Sequence, residues 1–277
     1  MSKKLIFLDI DGTLTIPGEN VPPPTALEAV QKARAAGHKV FLSSGRNCGM
    51  LSPLLQYGFD GVIASAGGYI EYGGQIVYDC PMTREQQARV MSAFTQSEVC
   101  CMVETRHNSY TDERFKALTK EKAQQEGNSE LLRIREQLEQ ELGIRPMAEY
   151  HGERLYKIVF MSRNEASLSE PIRLLENEFN FCIQDIDSFG YVNGELINRK
   201  FNKGLAIRRL CEYLNVPLAD TIAFGDSMND LEMIQTAALG VCMGNGSQQL
   251  KDAAGAVCPP VQEDGLYKAF AQYGLLS

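Results

Sequence analysis

Short apolar runs that alternate with segments of helical periodicity limit the fold of this chain more than any other feature. Leu5–Leu8 is a continuous apolar run, which is typical of a strand covered on both faces. Thr25–Ala36 carries apolar residues at helical spacing and is followed by a glycine, and Lys39–Ser44 is a second run of the strand type. Because strand, helix and strand are joined by short connections, we predict an α/β fold with a doubly wound, mostly parallel, Rossmann-like sheet.

The middle of the chain has a different order of predicted helices and strands. A predicted hairpin is followed by a long polar region that contains its own strand patterns and is rich in helical patterns, among them predicted helices over residues 130–142 and near residues 165–179. The strand and helix alternation of the first part returns from Lys203. Helices and strands mixed in the order of the middle region favour an α+β layer. We therefore predict an α/β core formed by residues 1–81 and 196–277, and an inserted α+β module formed by residues 82–195.

Composition and charge exclude several classes of function. The 277 residues carry 27 Lys and Arg against 35 Asp and Glu, and this net charge of −8 argues against binding to nucleic acid or anionic lipid. No apolar run approaches the roughly 18 residues of a membrane span, and the N-terminal apolar stretch is too short for a secretory signal. The eight cysteines form no C-x-x-C pair, and the three histidines lack the spacing of zinc ligands. We expect a cytoplasmic protein without nucleic-acid or membrane partners, either monomeric or homodimeric.

Four polar segments are predicted to meet at one edge of the sheet, because functional groups of open parallel sheets gather beyond the carboxyl ends of the strands. The segments are Asp9–Thr13 after the first strand, Ser43–Arg46 after the second, Gly225–Asp230 after a later strand, and Lys203 at the start of a helix. Taken alone, Asp-x-Asp-Gly is explained equally well as a turn. A calcium loop and a nucleotide-binding loop do not fit, because the glycine and glutamate positions that they need are not present.

The combination of these segments indicates a metal and a phosphoryl group. Asp9, Asp11 and Asp226 would repel one another at one sheet edge unless a cation lay among them, and hard oxygen ligands favour Mg²⁺. Lys203 would neutralise a phosphoryl group, and the Ser44 hydroxyl would donate a hydrogen bond to it. The sequence therefore predicts a Mg²⁺-dependent site for a phosphorylated substrate.

The four segments resemble, in this order, the four motifs of the haloacid dehalogenase-like phosphatases. They read D-x-D-G-T, S-G-R, a helix-opening lysine and G-D-x-x-N-D. The long insertion between the second and third motifs resembles, in position and element order, the cap of the Cof-like hydrolases, subfamily IIB. The resemblance covers essentially the whole chain. It implies hydrolysis of small phosphorylated metabolites, above all sugar phosphates, through an aspartyl-phosphate intermediate.

The resemblance also implies a role for each carboxylate. Asp9 would be the nucleophile, and Asp11 would be the general acid in the first step and the general base in the second. The metal would be held by Asp9, the backbone oxygen of Asp11 and Asp226. Asp230 would act on the metal through water, or would orient Lys203.

A second group of residues is expected to contact the phosphoryl group or the rest of the substrate. Its members are the Gly12 backbone amide, the Ser44 hydroxyl, Arg46, Asn229 and Asn245. Two alternatives stay open at this point. Arg46 is expected to contact a substrate phosphate or the cap, and a surface arginine explains it nearly as well. Asn245 is explained equally well as the first residue of an Asn-Gly turn. After the third strand, Ala66 stands where many relatives carry asparagine, which removes a polar group from the site.

Three other functions are compatible with parts of the pattern. A phosphosugar mutase would use the same nucleophile but return the phosphoryl group to a sugar instead of water. A non-catalytic ligand-binding relative is disfavoured, because it would not need all four of Asp9, Asp11, Lys203 and Asp226. A dehalogenase is disfavoured, because Asp11 and a metal serve no purpose in an attack on carbon.

In the predicted cap, residues 106–110 could contact the leaving group, although a solvated loop explains them better.

Overall fold

The computed structural model describes residues 3–17, 19–122, 143–186 and 191–277. Its strands are β1 (Leu5–Leu8), β2 (Lys39–Ser43), β3 (Gly61–Ala64), β4 (Tyr69–Tyr72), β5 (Gln75–Asp79), β6 (Cys100–Thr105), β7 (Ser109–Thr111), β8 (Ile144–Pro146), β9 (Leu155–Ser162), β10 (Phe179–Ile186), β11 (Val192–Asn198), β12 (Thr221–Gly225), β13 (Leu239–Cys242) and β14 (Ala256–Val257). Its α-helices are α1 (Pro24–Ala35), α2 (Cys48–Leu55), α3 (Arg84–Gln96), α4 (Glu113–Lys122), α5 (Ser169–Leu175), α6 (Lys203–Leu214), α7 (Leu231–Thr236), α8 (Gln248–Ala253) and α9 (Gly265–Gln272). A helix predicted over residues 130–142 lies outside the described ranges. Within those ranges, none of the helices has the length and apolar character needed to cross a membrane.

The chain divides into two compact units. The first unit contains Met1–Arg46, Leu51–Asp79 and Asn202–Ser277, and the second contains Asn47–Met50 and Cys80–Phe201. Strand β11 accounts for the position of the second division, because it pairs with β10 as far as Asn198 and with β9 as far as Ile197, and a division at residue 195 would cut it. The assignment of the first unit as a catalytic core and of the second as a cap stays a prediction.

The first unit is built on an eight-stranded sheet with the order β14-β13-β12-β1-β2-β3-β4-β5. Neighbouring strands from β14 to β3 run parallel, and β4 and β5 add an antiparallel hairpin at one edge. From β1 the chain proceeds to β2 on one side, whereas from β12 it proceeds to β13 on the other side. The strand order therefore reverses between β1 and β12, and such a switch point is where open α/β sheets bind ligands.

Strand β1 is buried on both faces, as its continuous apolar run predicts. Ile6, Phe7 and Leu8 have no exposed surface, and the Phe7 ring stacks on Phe41 at 5.2 Å between centroids. Full burial of a side chain such as Phe7 contributes about 1.5–3 kcal/mol relative to its exposure. Helix α6 packs Ile207 and other apolar residues into the same cluster. This packing fixes the end of β1, and with it the residues that follow.

The second unit is an α+β layer with a six-stranded sheet in the order β10-β11-β9-β6-β7-β8. Its strands pair antiparallel except for β7 with β8. Phe94 of α3 packs against Phe160 of β9 in an apolar cluster that also contains Leu175 of α5. The predicted α/β fold with an additional α+β module is confirmed at this level.

Two predictions of secondary structure in this unit are wrong. Residues 109–111 form a strand, so the polar stretch that was expected to be a loop contains Ser109 and Tyr110 at buried positions. Tyr110 belongs to the apolar cluster beneath the sheet, which explains why it is ordered in a strand. The helix predicted near residues 165–179 is a 3₁₀ turn followed by the shorter helix α5.

Candidate active site

The predicted carboxylates converge at the switch point between β1 and β12. Asp9 follows β1 directly, and Asp226 follows β12. The Lys203 ammonium donates to Asp9 Oδ1 at 2.7 Å and to Asp230 Oδ1 at 2.6 Å. Residues that lie 194 positions apart in the chain therefore meet in one buried cluster.

The start of α6 fixes the position of Lys203. The Asn202 side chain accepts a hydrogen bond from the backbone N–H of Leu205 at 2.7 Å, which caps the helix and places Lys203 in its first turn. A side chain at Gly204 would meet the backbone oxygen of Glu232 at 2.5 Å. This glycine therefore lets α6 lie close to α7, which follows directly after Asp230 in the sequence.

Asp230 is bound through both of its carboxylate oxygens. Oδ1 accepts from Lys203, and Oδ2 accepts from the backbone N–H groups of Asp226 at 3.1 Å and Ser227 at 3.4 Å. The side chain has no exposed surface. This arrangement favours the orienting role for Asp230 over direct contact with a metal, because its oxygens already have protein partners.

The cluster contains three carboxylates and one ammonium group, so its negative charges are not fully balanced. Asp9, Asp226 and Asp230 each offer one carboxylate oxygen, and these oxygens lie within 4.8 Å of one another. Burial, followed by the charge of Asp230, raises the pKa of Asp9, although Lys203 acts in the opposite direction. Burial, followed by the charge of Asp9, raises the pKa of Asp226. A bound cation would relieve this repulsion.

Lys203 is held in its charged form. Burial acts to lower the pKa of the Lys203 ammonium, but the negative charges of Asp230 and Asp9 and their hydrogen bonds outweigh burial and raise it. Loss of a partner from a buried ion pair costs about 3–5 kcal/mol, because the remaining charge is left uncompensated. Lys203 therefore stabilises the cluster and orients the Asp9 carboxylate.

The oxygens that remain suit a divalent cation. Asp226 Oδ1 is buried and has no hydrogen-bond partner among the residues that the structure describes. Gly12 has a positive φ of 87°, and a Cβ at this position would collide with the Asp226 carboxylate. Glycine thus allows the backbone after Asp11 to approach Asp226. Carboxylate and carbonyl oxygens are the donors that Mg²⁺ prefers, so the residues present fit this ion.

Asp11 is bound by Arg46 rather than by Lys203. Arg46 Nε donates to Asp11 Oδ2 at 3.1 Å, and Arg46 Nη2 donates to Asp11 Oδ1 at 2.5 Å. Arg46 Nη1 donates to Asn20 Oδ1 at 3.3 Å. Sequence reasoning placed Arg46 near the substrate but did not predict its pairing with Asp11, and it did not identify Asn20.

Three further predicted contact residues make hydrogen bonds within the protein. The Ser44 hydroxyl is buried and accepts from the backbone N–H of Arg46 at 3.1 Å. The Asn245 amide donates to Gly12 O at 2.8 Å, which supports the loop after Asp11. Asn229 is exposed, and its Oδ1 accepts from the Ser227 hydroxyl at 2.9 Å. Contacts of these side chains with a phosphoryl group stay predictions.

Two features of the site were not identified from the sequence. The Thr13 hydroxyl is buried, and it has no hydrogen-bond partner among the residues that the structure describes. Ser65 and Ala66 adopt positive φ angles of 49° and 57°, a conformation that is unfavourable for residues other than glycine. Their backbone N–H groups donate to Arg46 O at 2.8 Å and Ser44 O at 3.0 Å. Residue 66 therefore supports the segment after β2 through its backbone N–H, and asparagine at this position could make the same hydrogen bond.

Comparisons with known proteins find a matching family model, full-length relatives and a solved structure of similar fold. A family model described as haloacid dehalogenase-like hydrolase matches residues 6–270. YkrA of Bacillus subtilis (strain 168), which carries a provisional phosphatase name, is 28% identical over 100% of both chains. The phosphoglycolate phosphatase of Methanosarcina acetivorans is 28% identical over 97% of this chain and 96% of its own. The fold is similar to that of the HAD subclass IIB sugar phosphatase BT4131, with a TM-score of 0.74, 24% identity and coverage of 99% of this chain and 100% of that one.

Proposed function

Because the chain belongs to the haloacid dehalogenase-like hydrolases, we propose that it is a Mg²⁺-dependent phosphomonoester hydrolase of small metabolites, with sugar phosphates as the leading substrate class. The observation that carries the proposal is the Asp9 carboxylate at the switch point. One of its oxygens is fixed by Lys203, and the described residues give the other oxygen no hydrogen bond. A fixed carboxylate with a free oxygen is suited to nucleophilic attack.

Part of the sequence-based expectation is already confirmed. The predicted family and the predicted class of enzyme, a phosphatase among the hydrolases, agree with the family model and with the full-length relatives. The metal, the covalent intermediate, the roles of individual residues and the sugar-phosphate substrates are proposals.

We assign the metal to three oxygens at the switch point. Asp9, Asp226 and the backbone oxygen of Asp11 would hold Mg²⁺, and Asp230 would keep Lys203 in place beside them. When bound, the ion supplies positive charge to the carboxylates and to a phosphoryl oxygen. Asp226 Oδ1 supports this assignment. It is buried without a hydrogen-bond partner in the part of the chain that the structure describes, and burial of an unpaired carboxylate oxygen is costly in free energy.

The chemistry proceeds through two displacements at phosphorus. In the first, the free oxygen of Asp9 forms a bond to phosphorus while the ester oxygen leaves, and Asp11 gives this oxygen a proton. In the second, Asp11 takes a proton from water, and the water oxygen displaces Asp9 from phosphorus. Inorganic phosphate is released, and both carboxylates return to their initial state. Lys203 holds Asp9 through both steps.

The substrate class follows from the motifs and from the relatives. The names of the relatives include a phosphoglycolate phosphatase and, for a solved structure of the same fold, a sugar phosphatase. Both names describe small phosphomonoesters. A small phosphorylated metabolite is therefore the substrate that we propose for this chain.

A panel of phosphorylated metabolites, measured with Mg²⁺ and after its removal by a chelator, tests this function. We expect release of inorganic phosphate from at least one sugar phosphate, a loss of about 100-fold or more without the metal, and recovery when Mg²⁺ is restored. Isomerised sugar phosphate without free phosphate would instead identify a mutase. Equal activity with and without divalent cations would contradict the metal assignment.

A further inference from the structure

We propose that Arg46 is a positioning residue that holds the Asp11 carboxylate where it can exchange a proton with the leaving oxygen and with water. The inference rests on the proposed function, because it concerns the proton transfer to the leaving oxygen. It assigns to Arg46 a task different from contact with a substrate phosphate.

Arg46 and Asp11 form a bidentate ion pair. Nε and Nη2 of Arg46 each donate to a different oxygen of Asp11, at 3.1 and 2.5 Å. Such a fork fixes the plane of the carboxylate as well as its position. The Arg46 side chain is 3% exposed and that of Asp11 is 15% exposed, so water screens the pair only weakly.

Arg46 is itself anchored by the residues around it. Its backbone N–H donates to the Ser44 hydroxyl at 3.1 Å, and its backbone oxygen accepts from Ser65 at 2.8 Å. Its third guanidinium nitrogen donates to Asn20 at 3.3 Å. A guanidinium held at this many points is a rigid support for the carboxylate that it contacts.

The two cationic side chains of the site pair with different carboxylates. Lys203 contacts Asp9 and Asp230, whereas Arg46 contacts Asp11. Each of the two carboxylates to which the mechanism assigns a role is therefore held by a cation of its own.

The fork acts on the proton transfer through orientation. Asp11 must present an oxygen to the leaving group in the first displacement and to water in the second. A carboxylate whose plane is fixed by two hydrogen bonds is already in the geometry that these steps need.

Two esters of similar shape but different leaving groups test the role. p-Nitrophenol is a much stronger acid than phenol, so p-nitrophenyl phosphate needs little protonation when it reacts, whereas phenyl phosphate needs more. For Arg46→Gln we expect kcat/KM to fall about 10- to 100-fold with phenyl phosphate but less than about 3-fold with p-nitrophenyl phosphate. The value of kcat/KM is used because it reports the first displacement.

Matched variants complete the experiment. Asp11→Asn should show the same preference for the better leaving group, and Arg46→Gln should add less than about 3-fold when combined with it, because the two residues act as a unit. Arg46→Lys keeps the charge without the fork and should fall between Arg46→Gln and the wild type. Arg34→Gln removes an arginine that pairs with Asp60 in the same unit and should leave both rates unchanged.

The outcomes separate the inference from the function that it rests on. An equal loss on both esters would identify Arg46 as a direct contact of the phosphoryl group and overturn the inference. Unchanged rates in folded Arg46→Gln would overturn it as well. If Arg46→Gln does not fold, Arg46→Lys decides by the same ratio. A wild-type protein that releases phosphate from neither ester and from no member of the metabolite panel overturns the proposed function, and this inference with it.

Discussion

Replacing Asp9 with asparagine should lower kcat for phosphomonoester hydrolysis by a factor of about 10⁴ or more, which corresponds to about 5.5 kcal/mol of activation free energy. The amide has no anionic oxygen with which to attack phosphorus, and it cannot form the acyl phosphate. The fold should persist, because Lys203 keeps its contact with Asp230 at 2.6 Å and the change removes one of several crowded carboxylates.

A carboxylate elsewhere in the same unit provides the control for this prediction. Asp60 accepts hydrogen bonds from Arg34 and from the backbone N–H of Val40, so Asp60→Asn removes a charge that supports structure. This control should keep its kcat while its unfolding temperature falls. A kcat for folded Asp9→Asn within about ten-fold of the wild type would exclude Asp9 as the nucleophile.

Asp226→Asn should change activity and stability in opposite directions. With the metal ligand weakened, we expect kcat/KM at a fixed Mg²⁺ concentration to fall about 100-fold or more, and half-maximal activity to require more Mg²⁺. Without metal, the variant should be more stable than the wild type by about 1 kcal/mol, because one of the buried, mutually repelling carboxylates has become neutral.

The measurements for this prediction are a Mg²⁺ titration of the rate and thermal unfolding in the presence of a chelator. A purely structural Asp226 would give the reverse pattern, with lower stability and an unchanged dependence on Mg²⁺. Asp220→Asn is the matched control, because Asp220 pairs with Lys4 at 2.6 Å in the same unit and has no assigned part in the site. Its rate and its Mg²⁺ dependence should equal those of the wild type.

The parts of the fold that follow from local pattern could be predicted from the sequence. The apolar run Leu5–Leu8 is buried on both faces, and the Asp-x-Asp-Gly segment lies directly after it at the switch point. Lys203 was expected to open a helix, and it does so behind its capping residue Asn202. These features depend on residues close together in sequence, or on the rule that parallel strands end at a common edge.

The parts that depend on distant contacts could not be predicted. The pairing of Arg46 with Asp11 joins residues 35 positions apart, and no local pattern distinguishes it from a surface arginine. Ala66 adopts a left-handed conformation that alanine does not favour, and its backbone N–H donates to Ser44 O, which lies 22 positions earlier in the chain. Helix α2 was missed because a proline at position 53 lies inside it.

The acyl phosphate on Asp9 can be detected directly. Wild-type protein is mixed with substrate and Mg²⁺, quenched in acid during turnover and treated with borohydride, which reduces an aspartyl phosphate to homoserine, and the digest is examined by mass spectrometry. We predict homoserine at position 9 in the substrate-treated sample and aspartate at position 9 when substrate is omitted. Unmodified aspartate at position 9 during sustained turnover, or reduction at a different carboxylate, would contradict the account.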